Sequence, residues 1–194
     1  TVAAAYAIYH LPDYYAAIGY VLDDLVEREL LSRRLRVLEV GAGVGGPALG
    51  LHDFLTDESL VEYQAVEPSP AADVLEHLLS ETRRNFRTRI HRTTAESFDP
   101  AAHAPAVDWP DVEREAPDQR GETSESPLED RAMAAGFDLI LFANVLSELD
   151  DPVSVVQRYR EALAPGGSLV AIAPADLNTS TELRRVERAV APSG

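Results

Sequence analysis

The sequence contains no cysteine and no lysine. Without cysteine the chain can form no disulfide bond, thiolate metal site or iron–sulfur cluster, and it has no cysteine nucleophile. The redox compartment is therefore not indicated, and a cytoplasmic location is the default expectation. No run of about 18 apolar residues is present, so the sequence predicts no membrane-spanning helix. The N-terminus also lacks the basic and apolar regions of a secretory signal.

All 17 basic residues are arginine, and 33 acidic residues give a net charge of -16. At ordinary salt such a surface repels other copies of the chain and nucleic acid. In molar salt the Debye length falls to about 3 Å, which screens this repulsion. An acidic chain without lysine is the composition we expect of a halophilic protein; the alternative is an ordinary acidic protein from a GC-rich genome. Under the halophilic interpretation the charge does not exclude RNA as a partner.

Residues 1–34 predict an N-terminal helical segment. Pro12 and Asp13 are expected at the N-terminus of its main helix. Apolar side chains that follow them recur at helical spacing and form one stripe. These side chains are Tyr14, Ile18, Val21, Leu22 and Leu25.

Residues 35–194 alternate between strand and helix patterns. Five strands are expected, at 36–40, 61–66, 88–94, 137–143 and 168–173, with a final helix at 180–190. The helix before the fifth strand is expected to end near Pro165-Gly166-Gly167. This order predicts an α/β fold, a Rossmann-like three-layer sandwich with a mostly parallel sheet. A full sheet of this kind has seven strands, so we expect truncation at the C-terminus, a native chain that continues past Gly194, a homodimer, or a combination.

The stretch 99–131 differs from its surroundings. It holds five prolines, ten acidic residues and three arginines, few aliphatic residues and the only tryptophan, Trp109. This composition is typical of a solvated loop or of disorder. We interpret 99–131 as a disordered acidic insertion within the 35–194 domain, with a lid over a binding site as the alternative.

A glycine cluster directly follows the first predicted strand and precedes a helix. Glycines in this context permit a tight turn and let a ligand lie against bare backbone. Gly41, Ala42, Gly43 and Gly45 are therefore candidate cofactor-binding residues. With Gly46, the cluster also satisfies the G-x-G-x-x-G pattern, which makes NAD an alternative cofactor.

Glu39 favours S-adenosylmethionine over a dinucleotide. It lies two residues before Gly41, near the carboxyl end of the first strand, where the ligand crevice is expected. A pyrophosphate would face like charge there, whereas S-adenosylmethionine has no phosphate and carries a cationic ammonium and sulfonium. An NAD-dependent oxidoreductase would also need a Tyr/Lys-like pair, and the chain has no lysine.

Further candidates follow the other strands. Glu67, followed by Pro68, is placed to accept hydrogen bonds from both ribose hydroxyls, unless it is only an exposed turn residue. Ala95-Glu96-Ser97 would recognise the adenine amino group, with an ordinary polar loop as the alternative. Asn144, which precedes Val145, would contact the methionine end or the substrate, unless it only forms a turn. The five histidines show no metal-ligand spacing, so no metal site and no catalytic residue is assigned.

Four segments resemble the successive motifs of class I S-adenosylmethionine-dependent methyltransferases. They are VLEVGAGVGG (37–46), AVEPS (65–69), FDLILFANVLSEL (137–149) and LAPGGSLVAIA (163–173). The resemblance covers about 35–173. It implies S-adenosylmethionine as cofactor and methyl transfer as activity.

A narrower resemblance involves HLPDYYAAIGYVLDDL (10–25), NVLSEL (144–149) and ADLNTSTELRRVERAV (175–190). These segments are similar to the mitochondrial ribosomal small-subunit methyltransferase-like family, which implies association with the small ribosomal subunit. Members of that family usually have arginine where His10 stands, and many carry metal-binding cysteines. This chain has neither, so no metal cluster is implied.

The methyl acceptor is left open between ribosomal RNA and a small molecule. No NPPY-like motif and no cysteine pair is present, which argues against N6-adenine methylation and cysteine-mediated C5-pyrimidine methylation. The alternative function is a non-catalytic S-adenosylmethionine-binding module of small-subunit assembly. Turnover distinguishes the two, because only the enzyme transfers the methyl group.

Overall fold

The computed structural model describes residues 2–55, 59–82, 86–106 and 134–191. Helices and strands alternate along the chain after a long first helix. The helices are α1 (Val2–Glu27), α2 (Gly46–Phe54), α3 (Ala71–Ser80), α4 (Pro152–Arg160) and α5 (Leu177–Val190), and a short 3-10 turn, η1, spans Leu146–Glu148. The strands are β1 (Arg34–Val40), β2 (Leu60–Val66), β3 (Phe86–His91), β4 (Phe137–Ala143) and β5 (Leu163–Ile172).

The described strands form one parallel sheet in the order β3-β2-β1-β4-β5. The chain builds outward from β1 through β2 to β3, then returns to the other side of β1 to place β4 and β5. The strand order therefore reverses between β1 and β4, and in open α/β sheets ligands bind at the carboxyl ends of the strands at such a point. The predicted Rossmann-like α/β fold is confirmed.

The central strands are continuous apolar runs because helices cover both faces of the sheet. Six of the seven residues of β1 are buried, as are six of the seven of β4. One buried cluster joins the sheet to α1, α2 and α3, and a second joins it to α4 and α5. The result is the predicted three-layer arrangement.

Helix α1 packs closely on α2 through two glycines. A Cβ atom on Gly50 would lie 2.2 Å from Ile18 Cγ2 and 2.8 Å from the Tyr15 carbonyl oxygen. A Cβ atom on Gly46 would lie 3.0 Å from the Leu11 carbonyl oxygen. These contacts place α1 beside the start of α2, next to the glycine cluster. None of the described helices is long and apolar enough to cross a membrane.

The predicted start of the first helix at Pro12 and Asp13 is wrong. Helix α1 begins at Val2, and Pro12 lies inside it. The preceding residues are rich in alanine, which has the highest helix propensity. That propensity extends the helix through Pro12 at the cost of one backbone hydrogen bond.

Two further boundaries need correction. Helix α4 ends at Arg160, and Pro165-Gly166-Gly167 lies within β5, where the pairing with β4 shifts register. Gly166 has a φ of 80° there, and a Cβ atom on Gly167 would lie 2.7 Å from the Phe137 carbonyl oxygen. A Pro-Gly-Gly signal fits a β-bulge as well as a helix end. The third strand also begins two residues earlier than predicted and ends at His91.

The first residues of the predicted acidic insertion belong to the packed domain. The His103 ring stacks on Phe98, with 4.6 Å between ring centroids, and Gln64 Nε2 donates to the His103 carbonyl oxygen at 3.2 Å. The Pro105 carbonyl oxygen accepts a hydrogen bond from the Gly136 N–H at 3.0 Å. Disorder of 99–106 is therefore wrong, and 107–131, including Trp109, lies outside the described residues.

Candidate functional site

A cavity of about 550 Å³ opens at the carboxyl edge of the sheet, where the strand order reverses. This volume lies in the range typical of sites for small molecules and cofactors. We call it the central cavity. Its walls come from the loops after β1, β2, β3 and β4, and its lining residues are Gly41, Gly43, Val44, Val66, Glu67, Pro68, Ser69, Pro70, Ala71, Thr94, Ala95, Glu96, Asn144, Val145, Glu148 and Leu149.

The glycine cluster forms the floor of the cavity in a conformation that other residues rarely adopt. Gly41, Gly43 and Gly45 have φ values of 69°, 54° and 90°. The Gly41 N–H donates to the Val66 carbonyl oxygen at 2.8 Å, which ties the turn to the end of β2. A Cβ atom on Gly41 would lie 2.6 Å from Val145 Cγ2. Glycine is therefore required at position 41 by both backbone conformation and space.

Glu67 is nearly buried, with 6% of its surface exposed, and it joins the glycine cluster to the loop after β2. Its Oε2 accepts a hydrogen bond from the Gly43 N–H and its Oε1 accepts one from the Ser69 N–H, both at 2.8 Å. Each carboxylate oxygen can accept a second hydrogen bond. Glu67 can therefore hold the loop and still accept from ligand hydroxyls, and it is not an exposed turn residue.

Glu39 is completely buried below the glycine cluster. Its Oε2 accepts a hydrogen bond from the Tyr63 hydroxyl at 2.7 Å, whereas its Oε1 has no partner among the described residues. Burial raises the pKa of Glu39 to about 8, the Tyr63 hydrogen bond opposes this, and the charge of Glu67 adds to it. A buried carboxylate oxygen without a partner is costly and indicates a missing ligand or water.

A small cavity of about 20 Å³ lies beside Glu39, and we call it the annex. Glu39, Ala42 and two side chains of α1, Leu11 and Tyr14, contribute to its lining. The annex shares Gly41, Gly43 and Val44 with the central cavity. Its volume suits one water-sized group, such as an ammonium or a water molecule.

Asn144 lies at the carboxyl end of β4 in a left-handed backbone conformation, with a φ of 56°. Its N–H donates to the Ile172 carbonyl oxygen at 2.8 Å, which joins the ends of β4 and β5. Asparagine adopts this conformation more readily than most residues, and such conformations are concentrated at functional sites. The turn carries the chain into η1, which brings Glu148 and Leu149 to the cavity wall.

Most of the residues predicted for the site meet at these two cavities. Eight line the central cavity, namely Gly41, Gly43, Glu67, Pro68, Ala95, Glu96, Asn144 and Val145. Glu39 and Ala42 line the annex. Gly45 and Ser97 line neither: Gly45 is the N-cap of α2, and Ser97 faces back into its own turn, where its N–H donates to the Thr94 carbonyl oxygen at 3.2 Å.

Eight lining residues of the central cavity were not predicted from the sequence, namely Val44, Val66, Ser69, Pro70, Ala71, Thr94, Glu148 and Leu149. Ser69 and Thr94 each lie within two residues of a predicted site residue, so a wider window would have included them. Glu148 and Leu149 are in the motif NVLSEL, of which only the first two residues were assigned. Only the fold of η1 shows that the end of this motif returns to the cavity.

The charge of the central cavity is of one sign. Its lining includes three carboxylates, Glu67, Glu96 and Glu148, and no arginine or histidine among the described residues. Glu39 adds a fourth acid at the annex. Such a site stabilises a cationic ligand and repels phosphate. The described residues also contain no cluster of acidic and histidine side chains able to hold a metal ion.

A family profile described as "Methyltransferase domain" matches residues 38–169, which is more than half of the chain. The chain belongs to this family. The matched region runs from β1 to β5 and contains the described residues of the central cavity. Membership implies S-adenosylmethionine as the cofactor, and the acid-lined cavity with the unpartnered Glu39 oxygen fits this cationic molecule.

Solved structures share the fold at low sequence identity. A Methanococcus maripaludis protein assigned as an S-adenosyl-L-methionine-dependent methyltransferase is 13% identical, with a TM-score of 0.54 over 96% of this chain and 68% of that one. The [4+2]-cyclase SpnF is 18% identical, with a TM-score of 0.52 over 88% of this chain and 57% of that one. The YcgJ protein of Bacillus subtilis is 17% identical, with a TM-score of 0.50 over 87% and 56%.

The chain spans only part of these solved structures, from 56% to 68% of their lengths. A comparison with curated proteins finds no significant match. The fold and the family are therefore shown, and the narrower ribosomal resemblance is not confirmed by these comparisons.

Proposed function

We propose that the chain is an S-adenosylmethionine-dependent methyltransferase that binds its cofactor in the central cavity and annex. The observation that carries the proposal is the buried Glu39, whose Oε1 has no partner among the described residues and which lines a water-sized annex adjoining the acid-lined central cavity. A dinucleotide would bring a pyrophosphate to the same carboxylates and would be repelled.

Different residues around the cavity would contact different parts of the cofactor. Glu39 would accept the cationic methionine ammonium, directly or through a water molecule in the annex. Glu67 would accept the ribose hydroxyls while it holds Gly43 and Ser69. The turn at Ala95-Glu96 would contact the adenine. The floor of bare glycine backbone would let the ligand lie close to the sheet.

When bound, S-adenosylmethionine supplies an activated methyl group, so the protein contributes mainly alignment. The glycine cluster and Glu67 fix the cofactor side. The turn at Asn144 and the following η1 form the remaining wall, where an acceptor can approach. The carboxylates keep the local potential negative, which stabilises the positive charge throughout the transfer.

Two acceptor classes remain proposals, a small molecule and ribosomal RNA. The concave, largely apolar central cavity, with its volume of about 550 Å³, favours a small molecule. The feature that favours an RNA partner on the small ribosomal subunit is the exposed arginine face of α5, formed by Arg184, Arg185 and Arg188. It lies in the segment that resembles the mitochondrial ribosomal small-subunit methyltransferase-like family.

A non-catalytic S-adenosylmethionine-binding assembly module is the second candidate function. The structural similarity to a [4+2]-cyclase is the reason to retain this alternative, because it is an example of the same fold without methyl transfer in its name.

The fate of a labelled methyl group tests these functions. The protein is incubated with methyl-labelled S-adenosylmethionine and separately with purified small ribosomal subunits and a small-molecule cell extract. Label in a small molecule would support a methyltransferase with a small-molecule acceptor, the class that the cavity favours. Label in ribosomal RNA would support a methyltransferase that acts on RNA. Cofactor binding without label in either fraction would favour the assembly module. Matched reactions with Glu39→Gln show whether transfer depends on the annex.

A further inference from the structure

Among the described carboxylates of the central cavity and annex, Glu148 is the one for which the cofactor offers no role. Glu39 faces the annex, Glu67 accepts two backbone N–H groups, and Glu96 is proposed for the adenine. Glu148 lines the central cavity, is exposed, and makes no hydrogen bond or ion pair through its carboxylate within the described part of the chain. Its carboxylate is therefore available to a second ligand.

The place of Glu148 in the fold separates it from the proposed cofactor contacts. Glu67 and the Glu96 turn follow β2 and β3, on one side of β1. Glu148 belongs to η1, which follows β4 on the other side of β1. Its neighbours on the cavity wall include the apolar Val145 and Leu149. This wall therefore presents a single carboxylate in an apolar setting.

The charge of the cavity also discriminates among methyl acceptors. A phenolate, carboxylate or phosphate would bring negative charge beside Glu67 and Glu148 and would be repelled. An ammonium that has lost one proton is a neutral nucleophile, and its nitrogen becomes positive as it gains the methyl group. The positive charge thus moves from sulfur to nitrogen without leaving the acid-lined cavity, so the carboxylates stabilise both ends of the transfer.

We propose that the methyl acceptor is an organic amine with an apolar body, held by the Glu148 carboxylate and the adjoining apolar wall. The inference rests on the proposed function and names its substrate class. In the reaction, the bound ammonium first passes one proton to Glu148, which returns it to solvent. The nitrogen lone pair freed in this way forms the bond to the methyl carbon, sulfur keeps the electron pair of the broken carbon–sulfur bond, and the methylated nitrogen carries the positive charge.

Binding of small probes to the protein saturated with S-adenosylhomocysteine tests the proposal without requiring turnover. The probes are phenethylammonium, 2-phenylethanol and 3-phenylpropionate, which share one apolar body, and uridine 5′-monophosphate, which represents an RNA acceptor. Affinities are measured by NMR titration at fixed salt. We expect phenethylammonium to bind about fivefold tighter than the alcohol, the scale of a solvent-accessible ion pair. The two anions should bind more weakly than the alcohol.

Two variants test whether the preference for the ammonium depends on Glu148. Glu148→Gln should reduce the preference for the ammonium to about twofold or less and leave S-adenosylhomocysteine affinity unchanged. Glu161→Gln removes the same charge at the exposed end of α4, which lies toward the opposite edge of the sheet, and should keep the full preference. An ammonium that binds no better than the alcohol, or tighter binding of uridine monophosphate, would overturn the proposal. Failure of S-adenosylhomocysteine to bind would instead contradict the proposed cofactor site.

Discussion

The Tyr63 hydroxyl donates a hydrogen bond to Glu39 Oε2 at 2.7 Å, and both side chains are completely buried. The other carboxylate oxygen of Glu39, a residue that lines the annex, has no partner within the described part of the chain. Tyr63 thus fixes the orientation of Glu39 and leaves one oxygen for a ligand. The same burial raises the pKa of Glu39 to about 8, so the carboxyl group is mostly protonated at pH 7 until a cation binds.

Cofactor binding should therefore release a proton from Glu39 below pH 8. The free protein has Glu39 with a pKa of about 8, and a cationic ligand favours its ionised form, so affinity should rise as the pH increases. Relative to the Glu39→Gln variant, the affinity should gain up to about tenfold per pH unit between pH 6 and 8, with a plateau above. Calorimetry in phosphate and Tris buffers at pH 7 measures the proton released.

The Glu39→Gln variant is the control for this linkage. It keeps the shape and the hydrogen bond from Tyr63 but cannot ionise, so its affinity should be lower and nearly independent of pH in this window. Because both proteins bind the same ligand, titration of the ligand amine affects them equally. An equal pH slope in the two proteins would show that Glu39 is not the linked group.

Glu67 should contribute to affinity through the ribose. Glu67→Ala is expected to weaken S-adenosylhomocysteine binding by about 1–3 kcal/mol, the scale for hydrogen bonds to a charged group. Part of that loss comes from the Gly43 and Ser69 bonds to the carboxylate. A 2′,3′-dideoxy analogue separates the two effects, since the parent should lose affinity when the hydroxyls are removed and Glu67→Ala should not. Equal losses in both proteins would exclude the ribose contact.

The contact between α1 and α2 should be sensitive to one methyl group. Gly50→Ala places a Cβ atom against Ile18 and the Tyr15 carbonyl oxygen, and we expect a loss of about 1–3 kcal/mol in the free energy of unfolding. Gly19→Ala, within α1 but with no atom within 4 Å of its Cβ position, should gain about 0.5–1 kcal/mol from helix propensity. Urea denaturation measures both. A similar change in both variants would argue against the close packing.

The two parts of the acidic stretch 99–131, before and after residue 106, should differ in their effect on stability. The hydrogen bond between Gly136 N–H and the Pro105 carbonyl oxygen brings the flanking segments together, so a short glycine-rich linker can replace 107–131. We expect this replacement to leave the melting temperature and cofactor affinity unchanged. Removal of 99–131 should lower the melting temperature, because it deletes the ring stack of His103 on Phe98. A loss of cofactor affinity on replacing 107–131 would support the lid alternative.

Much of this fold could be predicted from the sequence because its signals are local. The apolar runs of β1 and β4 predict buried parallel strands, and the carboxyl ends of such strands predict the position of the site. Signals that fit two structures led to wrong predictions. Pro12 predicts a helix start but lies inside α1, and Pro165-Gly166-Gly167 predicts a helix end but lies within β5.

The remaining features depend on contacts between distant parts of the chain. Only the parallel register, which pairs Val37 with Tyr63, places the Tyr63 hydroxyl near Glu39. The role of Glu148 depends in the same way on the return of η1 to the cavity. Such contacts are formed by tertiary packing, and no local pattern encodes them.

Calorimetric titration with S-adenosylmethionine, S-adenosylhomocysteine and NAD is the most direct measurement of the central claim. The net charge of -16 makes molar KCl the appropriate medium, because salt screens the repulsion within the acidic surface. We predict micromolar binding of S-adenosylmethionine and S-adenosylhomocysteine, with no detectable binding of NAD. Binding of NAD in place of the other two would contradict the proposed cofactor site and the electrostatic argument from the carboxylates of the central cavity.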